Sequence, residues 1–163
     1  MTRRQLPLIA APVLALILLV AGLAPVLAAD PPSFAGTWVL NTDKGENLGM
    51  VSAVKETVTI AQTPQKMTLD YVTVFMGTTP RKNIYDLAGK PVQNEGPMGD
   101  KADTVAKWAG DKLVVVWTGE SAIMGTKTEK TETRALSADG KEMSVTSVRG
   151  TKPPMVLVYE KQK

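Results

Sequence analysis

The stretch Phe34-Ala35-Gly36-Thr37-Trp38-Val39-Leu40 decides how this chain folds. Its pattern predicts a first β-strand that begins just after a loop. Gly36 lets the backbone turn closely, and Trp38 supplies the largest apolar surface in this part of the chain. We therefore expect the later segments to be strands that close over Trp38.

The residues before this stretch have the pattern of a secretory signal. Arg3 and Arg4 give a positive start, an apolar run covers residues 13–22, and Val26 and Ala28 stand at the −3 and −1 positions of a cleavage site. This pattern predicts a signal peptide at 1–28, a single domain at 29–163, and an exported protein that acts in the periplasm or outside the cell.

Two other interpretations of the N-terminal segment stay open. Residues 6–29 are long enough to span a bilayer as an uncleaved anchor, although Pro7, Pro12 and Pro25 interrupt them. Arg3-Arg4 also resembles a twin-arginine signal, whereas the strongly apolar run favours the general secretory route. Once the signal is cleaved, we expect no stable membrane insertion of the mature domain.

The composition excludes several function classes. The chain of 163 residues has 19 basic and 16 acidic side chains, and removal of Arg3 and Arg4 leaves 17 basic against 16 acidic. A nearly neutral domain gives no case for nucleic-acid binding. Because the sequence has no Cys and no His, disulfides, Ser/His/Asp or Cys/His catalysis and His-ligated metals are excluded.

The mature part reads as short β-strands separated by turns. Apolar residues alternate over 55–62 and again from Met67 to Phe75, and Asp139-Gly140 has the sequence of a tight hairpin turn. We count about nine strands at spacings of roughly 8 to 15 residues, with a loop at 94–100. Such spacing predicts an all-β fold, a single antiparallel meander that closes into a barrel.

The sequence also resembles a known group of proteins. Gly36-Thr37-Trp38 is similar to the Gly-x-Trp signature at the start of lipocalins and fatty-acid-binding proteins. More specifically, the chain resembles secreted bacterial proteins with a lipocalin-like (calycin-type) β-barrel, through short stretches in the same order along the chain. They are Tyr85–Pro91, Asn94–Gly99, Trp108–Leu113, Leu136–Lys141 and Val158–Glu160.

This resemblance implies a barrel whose base is plugged by Trp38. It also exposes a difference, because the final strand of fatty-acid-binding proteins often carries Arg-x-Tyr, which grips a carboxylate. The corresponding residues here are Leu157-Val158-Tyr159, which lack the arginine. Binding of a fatty acid by that particular device is therefore not expected.

Six side chains are candidates for ligand binding inside such a barrel. Aromatic residues could line an apolar cavity, although for any single one a filled core is the simpler interpretation. An arginine that points inward could pair with an anionic group, although a solvated outer face is the simpler interpretation. The candidates are Trp117, Tyr71, Phe75, Trp108, Arg134 and Arg149.

Other chemistry finds little support in the sequence. The methionines, Met124 among them, show no close Met-x-x-Met cluster for copper. The carboxylates suggest no particular catalytic pair, and the charges of 130–134 fall on alternate positions, which predicts a strand face in water. We expect no cofactor and no metal site.

The sequence thus predicts an exported, non-catalytic binding protein for a small, largely apolar molecule. A protein-interaction or structural barrel with a filled core is the alternative. An enzyme that works with carboxylates alone is a third class, and it requires two acids that face each other inside the barrel. The sequence gives no basis for an oligomeric state.

Overall fold

Ten antiparallel strands follow one another along the chain in a computed structural model that describes residues 30–120 and 125–163. The predicted signal peptide and Met124 lie outside the described residues. The strands are β1 (Gly36–Leu40), β2 (Lys55–Gln62), β3 (Lys66–Val74), β4 (Thr78–Asp86), β5 (Val92–Glu95), β6 (Lys101–Ala109), β7 (Lys112–Glu120), β8 (Lys127–Leu136), β9 (Glu142–Val148) and β10 (Met155–Lys161).

The strands form one sheet that curls into a barrel. Their order is β4-β3-β2-β1-β10-β9-β8-β7-β6-β5, so strands that follow one another in sequence pair, except β4 with β5, and β1 also pairs with β10. In that last pairing Trp38 lies opposite Lys161 and Leu40 opposite Tyr159. The predicted all-β antiparallel meander is confirmed, and the barrel is nearly closed, with its seam between β4 and β5.

One local expectation needs correction. The structure has ten strands because residues 92–95, which border and overlap the expected loop at 94–100, form the short strand β5 against β6. The connection between β1 and β2 contains two short 3₁₀ turns, Thr42–Lys44 and Gly49–Ala53. Within the described residues, no helix has the length and apolar content needed to cross a bilayer.

The meander gives the barrel two distinct ends. Because alternate connections of a meander lie at the same end, the segments 41–54, 75–77, 96–100 and 149–154 meet at what we call the upper end. The turns 63–65, 87–91, 110–111 and 137–141 meet at the lower end.

The lower part of the barrel is an apolar core around the early tryptophan. Trp38 is fully buried, and its indole N–H donates to the carbonyl of Phe34 at 2.8 Å. Phe34 is also fully buried and stacks on Trp108 with ring centroids 6.0 Å apart. Met67 and Met143 complete this packing, so the described core closes over Trp38 as the sequence predicts.

The seam between β4 and β5 is bridged by a side chain where a ladder of backbone hydrogen bonds would otherwise run. The Asn94 amide accepts from the Ile84 N–H at 2.8 Å and donates to the Ile84 carbonyl at 2.7 Å. It also donates to the Thr104 hydroxyl at 2.6 Å, which in turn donates to the Val92 carbonyl at 2.9 Å. The Asn94 amide therefore takes the place of the backbone hydrogen bonds that direct pairing of β4 with β5 would make.

Replacement of Asn94 by Ala leaves both backbone groups of Ile84 without these partners. We expect a loss of about 1–3 kcal/mol in the free energy of unfolding, measured by urea denaturation. Hydrogen exchange at the Ile84 amide should become faster in the same variant. Gln93→Ala, one residue away and exposed, is the matched control and should change stability by less than about 0.5 kcal/mol. Equal effects of the two variants would contradict this role of Asn94.

Candidate functional site

The alternating charges of β8 point into the barrel. Glu132 and Arg134 are 9% and 3% exposed, and the Lys130 side chain is only 16% exposed. The expectation that 130–134 presents a strand face to water is therefore wrong. The alternation itself was correct, but the charged residues occupy the inner face and the threonines between them occupy the outer one.

Arg134 is the deepest charged group of this face. Its Nη2 donates to the hydroxyl of Tyr71 at 3.1 Å and lies 3.4 Å from the hydroxyl of Tyr85. It also forms an ion pair of 3.2 Å with Glu132. The second carboxylate oxygen of Glu132 accepts from Lys130 Nζ at 2.7 Å. A buried guanidinium is tolerated only when other groups replace its water of hydration. At Nη2 that water is replaced by Tyr71, Tyr85 and Glu132.

A second polar group covers the neighbouring part of the interior. Glu56 on β2 accepts from the Tyr159 hydroxyl and from the Thr73 hydroxyl, both at 2.7 Å. Arg81 lies 3.7 Å from the same carboxylate, and its guanidinium stacks over the ring of Tyr71 at 4.0 Å from the centroid. Tyr71 therefore contacts both halves of what we call the interior polar cluster.

The interior polar cluster carries an excess positive charge. We define it by its five charged members and the four hydroxyl residues that they contact. Its cations are Arg81, Lys130 and Arg134, and its carboxylates are Glu56 and Glu132. Its hydroxyl residues are Tyr71, Thr73, Tyr85 and Tyr159. Three cations against two carboxylates leave one positive charge without an internal counter-ion.

Burial and charge act on the ionisable groups in opposite directions. Burial by itself would raise the pKa of Glu132, but the ammonium of Lys130 and the guanidinium of Arg134 hold that pKa below its ordinary value. Burial raises the pKa of Tyr71, Tyr85 and Tyr159. At neutral pH the cluster therefore contains an ionised Glu132 and neutral phenols.

Two buried N–H groups have no hydrogen-bond acceptor among the described residues. They are Arg134 Nε and the indole Nε1 of Trp117. Tyr85 lies between the two side chains, with its ring edge-on to Trp117 at 6.2 Å and its face 5.7 Å from the Arg134 guanidinium. A buried donor without an acceptor is costly, so both groups are suited to an acceptor atom that the described chain does not supply.

Two open concavities lie along the wall next to this cluster. One has a volume of about 360 Å³ and is lined by inner residues Tyr71 and Arg81 together with Asp70, Val72, Pro80 and Lys82. The other has about 180 Å³ and lies over the seam, lined by Lys82, Gln93, Asn94, Glu95 and Lys101. The first approaches the size of a small-molecule site and touches two members of the interior polar cluster.

The structure brings three of the six candidate residues together. Tyr71 and Arg134 are in direct contact, and Trp117 is buried beside Tyr85 and carries Lys130 over its ring at 4.3 Å. Trp108 is instead packed on Phe34 in the lower core. Phe75 is 46% exposed in the turn after β3 and Arg149 is exposed after β9, so the structure brings neither to the cluster.

Sequence reasoning missed the groups that balance Arg134. Glu132 and Lys130 were visible as an alternating stripe but were placed outside, and Glu56, Tyr85 and Tyr159 were not singled out as site residues. Glu56 and Glu132 are the two carboxylates of this cluster, and each pairs with at least one cation. Among residues 30–120 and 125–163 no three acidic side chains gather as a metal site.

Comparison with known proteins gives a match at the level of structure alone. No protein-family model and no curated protein matches the sequence. Solved structures do match. The fluorescent protein UnaG superimposes with a TM-score of 0.65 at 22% identity, over 79% of this chain and 97% of that one. The fold is that of the fatty-acid-binding-protein-like (calycin) β-barrels.

Two further calycin barrels agree with this result. Lipid binding protein 8 of Caenorhabditis elegans gives a TM-score of 0.64 at 13% identity, over 79% of this chain and 95% of that one. The fatty-acid-binding protein of Schistosoma mansoni, in complex with arachidonic acid, gives a TM-score of 0.63 at 16% identity, over 80% of this chain and 96% of that one. At such identities the likeness establishes the calycin fold and leaves function to be argued from the interior.

The depressed pKa of Glu132 predicts an acid-sensitive fold. A carboxyl whose pKa is lower in the folded state stabilises the protein above its ordinary pKa of about 4.3, and this stabilisation is lost as pH falls through the folded pKa. Glu132→Gln should therefore lower the unfolding free energy at pH 7, by about 3 kcal/mol for a broken buried ion pair, and the difference from the parent should shrink towards pH 3.

Urea denaturation between pH 3 and 7 measures this difference. Glu129→Gln, on the exposed face of the same strand, is the control and should follow the parent at every pH. A constant difference between Glu132→Gln and the parent across this range would show that Glu132 is not ionised in the folded barrel.

Proposed function

We propose that this protein is a non-catalytic binding protein for a small, largely apolar molecule that carries one anionic group. The observation that carries the proposal is Arg134, a buried guanidinium whose Nε has no acceptor among the described residues and whose cluster has one uncompensated positive charge. One anion bound there would neutralise the cluster and supply the missing acceptor.

The surrounding side chains suit the apolar part of such a molecule. Trp117, Val115 and Val145 are buried beside the cluster and offer an apolar wall. Tyr71 and Tyr85 combine an aromatic face with a hydroxyl that can orient a polar atom. Affinity would come from the apolar contacts, and the position of the charged end from Arg134.

The structural neighbours add support of a general kind. The C. elegans protein is called a lipid binding protein, and the S. mansoni protein holds arachidonic acid. Arg-x-Tyr is absent from β10, so the anion would meet an arginine supplied by β8 together with Tyr71 and Tyr85. We further propose that the protein acts after export, which rests on the signal pattern of residues 1–28.

Glu132 would compete with such a ligand. Its carboxylate already occupies one edge of the Arg134 guanidinium, at 3.2 Å. An incoming anion therefore meets both the attraction of the excess positive charge and the repulsion of Glu132. This arrangement predicts that substitutions of Arg134 and of Glu132 change the affinity for an anion in opposite directions.

The test uses two fluorescent probes that differ in charge, anilinonaphthalene sulfonate and the uncharged N-phenylnaphthylamine. In Arg134→Met, affinity for the sulfonate should fall by about 10- to 100-fold, as expected for loss of a charged hydrogen bond, whereas affinity for the neutral probe should stay within about threefold. In Glu132→Gln, affinity for the sulfonate should rise.

Arg149→Met is the matched control, because Arg149 is exposed, and it should bind both probes as the parent does. Circular dichroism of each variant verifies that the barrel is folded, since partly unfolded proteins also bind the sulfonate. Equal affinity of the parent for both probes, unchanged in Arg134→Met, would contradict the anion site. Binding of neither probe would favour the alternative, a barrel with a filled core.

A further inference from the structure

The exposed apolar side chains of the barrel gather at one end. Seven large apolar residues are strongly exposed in the described parts of the chain, and all lie at the upper end or on the strand residues next to it. They are Met50, Val72, Val74, Phe75, Met76, Met98 and Val148, and we call this set the apolar rim.

The apolar rim is spread over separate connections. Met50 lies in the 3₁₀ turn before β2, Phe75 and Met76 form the turn between β3 and β4, and Met98 lies between β5 and β6. The three methionines are 75–97% exposed. The lower end differs, because its described turns are built on polar and small residues such as Gln65, Gly110 and Asp139.

The turn after β3 exposes an apolar side chain from an unfavourable backbone conformation. Met76 has a φ of 55°, a left-handed conformation that disfavours a bulky residue, and its side chain is 97% exposed. The outer face of β3 continues the apolar surface through Val72 and Val74, which are 45% and 43% exposed. Such a surface is unusual on a protein that is alone in water and marks a contact site.

We propose that the apolar rim docks the barrel on the surface of a lipid bilayer, with Phe75 and Met76 inserted into the interface. The described tips lie on separate connections around one end, and not along one strand or helix. They can therefore enter one flat fluid surface together.

The charges near the rim fit a lipid interface as well. The described upper connections carry charges of both signs, such as Asp100 and Arg149, so attraction to a strongly charged partner is not built in. Behind the rim, Arg81 and Lys130 lie near the upper ends of β4 and β8 with side chains 11% and 16% exposed. The apolar rim therefore surrounds cationic groups, an arrangement complementary to the apolar chains and phosphate groups of a lipid surface.

This inference does not depend on the anionic ligand. A barrel that binds no small molecule could still dock on lipid, and a barrel that binds the sulfonate probe could remain free in solution. The vesicle experiment and the probe experiment can therefore fail separately.

The first measurement places a probe at either end of the barrel. Because the chain has no cysteine, Met76→Cys and Ala88→Cys each give a single labelling site for a nitrobenzoxadiazole dye. The predicted mature chain, 29–163, is used, since all ten strands lie within it and the apolar N-terminal segment would itself enter lipid. With phosphatidylcholine vesicles, the dye at 76 should brighten and shift to the blue, and the dye at 88 should not.

The second measurement removes the tip without a label. Phe75→Ser/Met76→Asn should reduce binding to the same vesicles in co-sedimentation by about tenfold, the effect of roughly 1.4 kcal/mol of lost apolar transfer. Asn tolerates a positive φ, so the turn should keep its form. Gln65→Ser/Lys66→Asn, in the lower turn after β2, is the control and should leave binding unchanged.

Three results would overturn the proposal. They are equal dye responses at 76 and 88, vesicle binding that survives Phe75→Ser/Met76→Asn, and absence of vesicle binding by the parent. A dye response at 76 that rises with protein concentration without vesicles, together with a dimer in sedimentation, would also overturn it and assign the rim to a second copy of the chain.

Discussion

A guanidinium held inside a barrel is the constraint around which the upper interior is built. Removal of Arg134 from water carries a cost of several kcal/mol unless other groups replace its hydration. Glu132 supplies the counter-charge, and the two tyrosine hydroxyls supply acceptors. Because the tyrosines come from β3 and β4, the contacts of Arg134 on β8 tie together strands that are distant in the sheet order. The lower core needs no such partners, since it is filled by Trp38, Phe34 and the buried methionines.

The fold could be predicted from the sequence because its decisive signals are local. Alternating apolar residues, hairpin turns such as Asp139-Gly140 and the regular spacing of strands are enough to indicate an antiparallel meander. β5 escaped prediction because it is four residues long and mostly polar, and because its link to β4 runs through the Asn94 amide, a tertiary contact. Residues 1–28 lie outside the described structure, so the signal peptide stays a prediction.

The candidate site was predictable only in part, for a physical reason. A strand in which charged residues alternate with threonine has two polar faces, and periodicity alone does not tell which one turns inward. That choice is made by partners elsewhere in the chain, here Tyr71, Tyr85 and Trp117, whose positions follow from sheet register. Arg149 and Arg134 look equivalent in the sequence, and the difference between them arises from where each strand ends.

The pairing of β1 with β10 has a consequence for how the protein reaches this structure. The side chains of Asn41 and Glu160 are joined by a hydrogen bond across 119 residues of chain. Loop-closure entropy opposes such distant contacts until most of the sheet exists, so folding of this barrel should belong to the slow, millisecond-to-second class of small domains. Until β1 and β10 pair, both strands have unpaired backbone edges. During this interval two newly made chains are most able to associate through these edges.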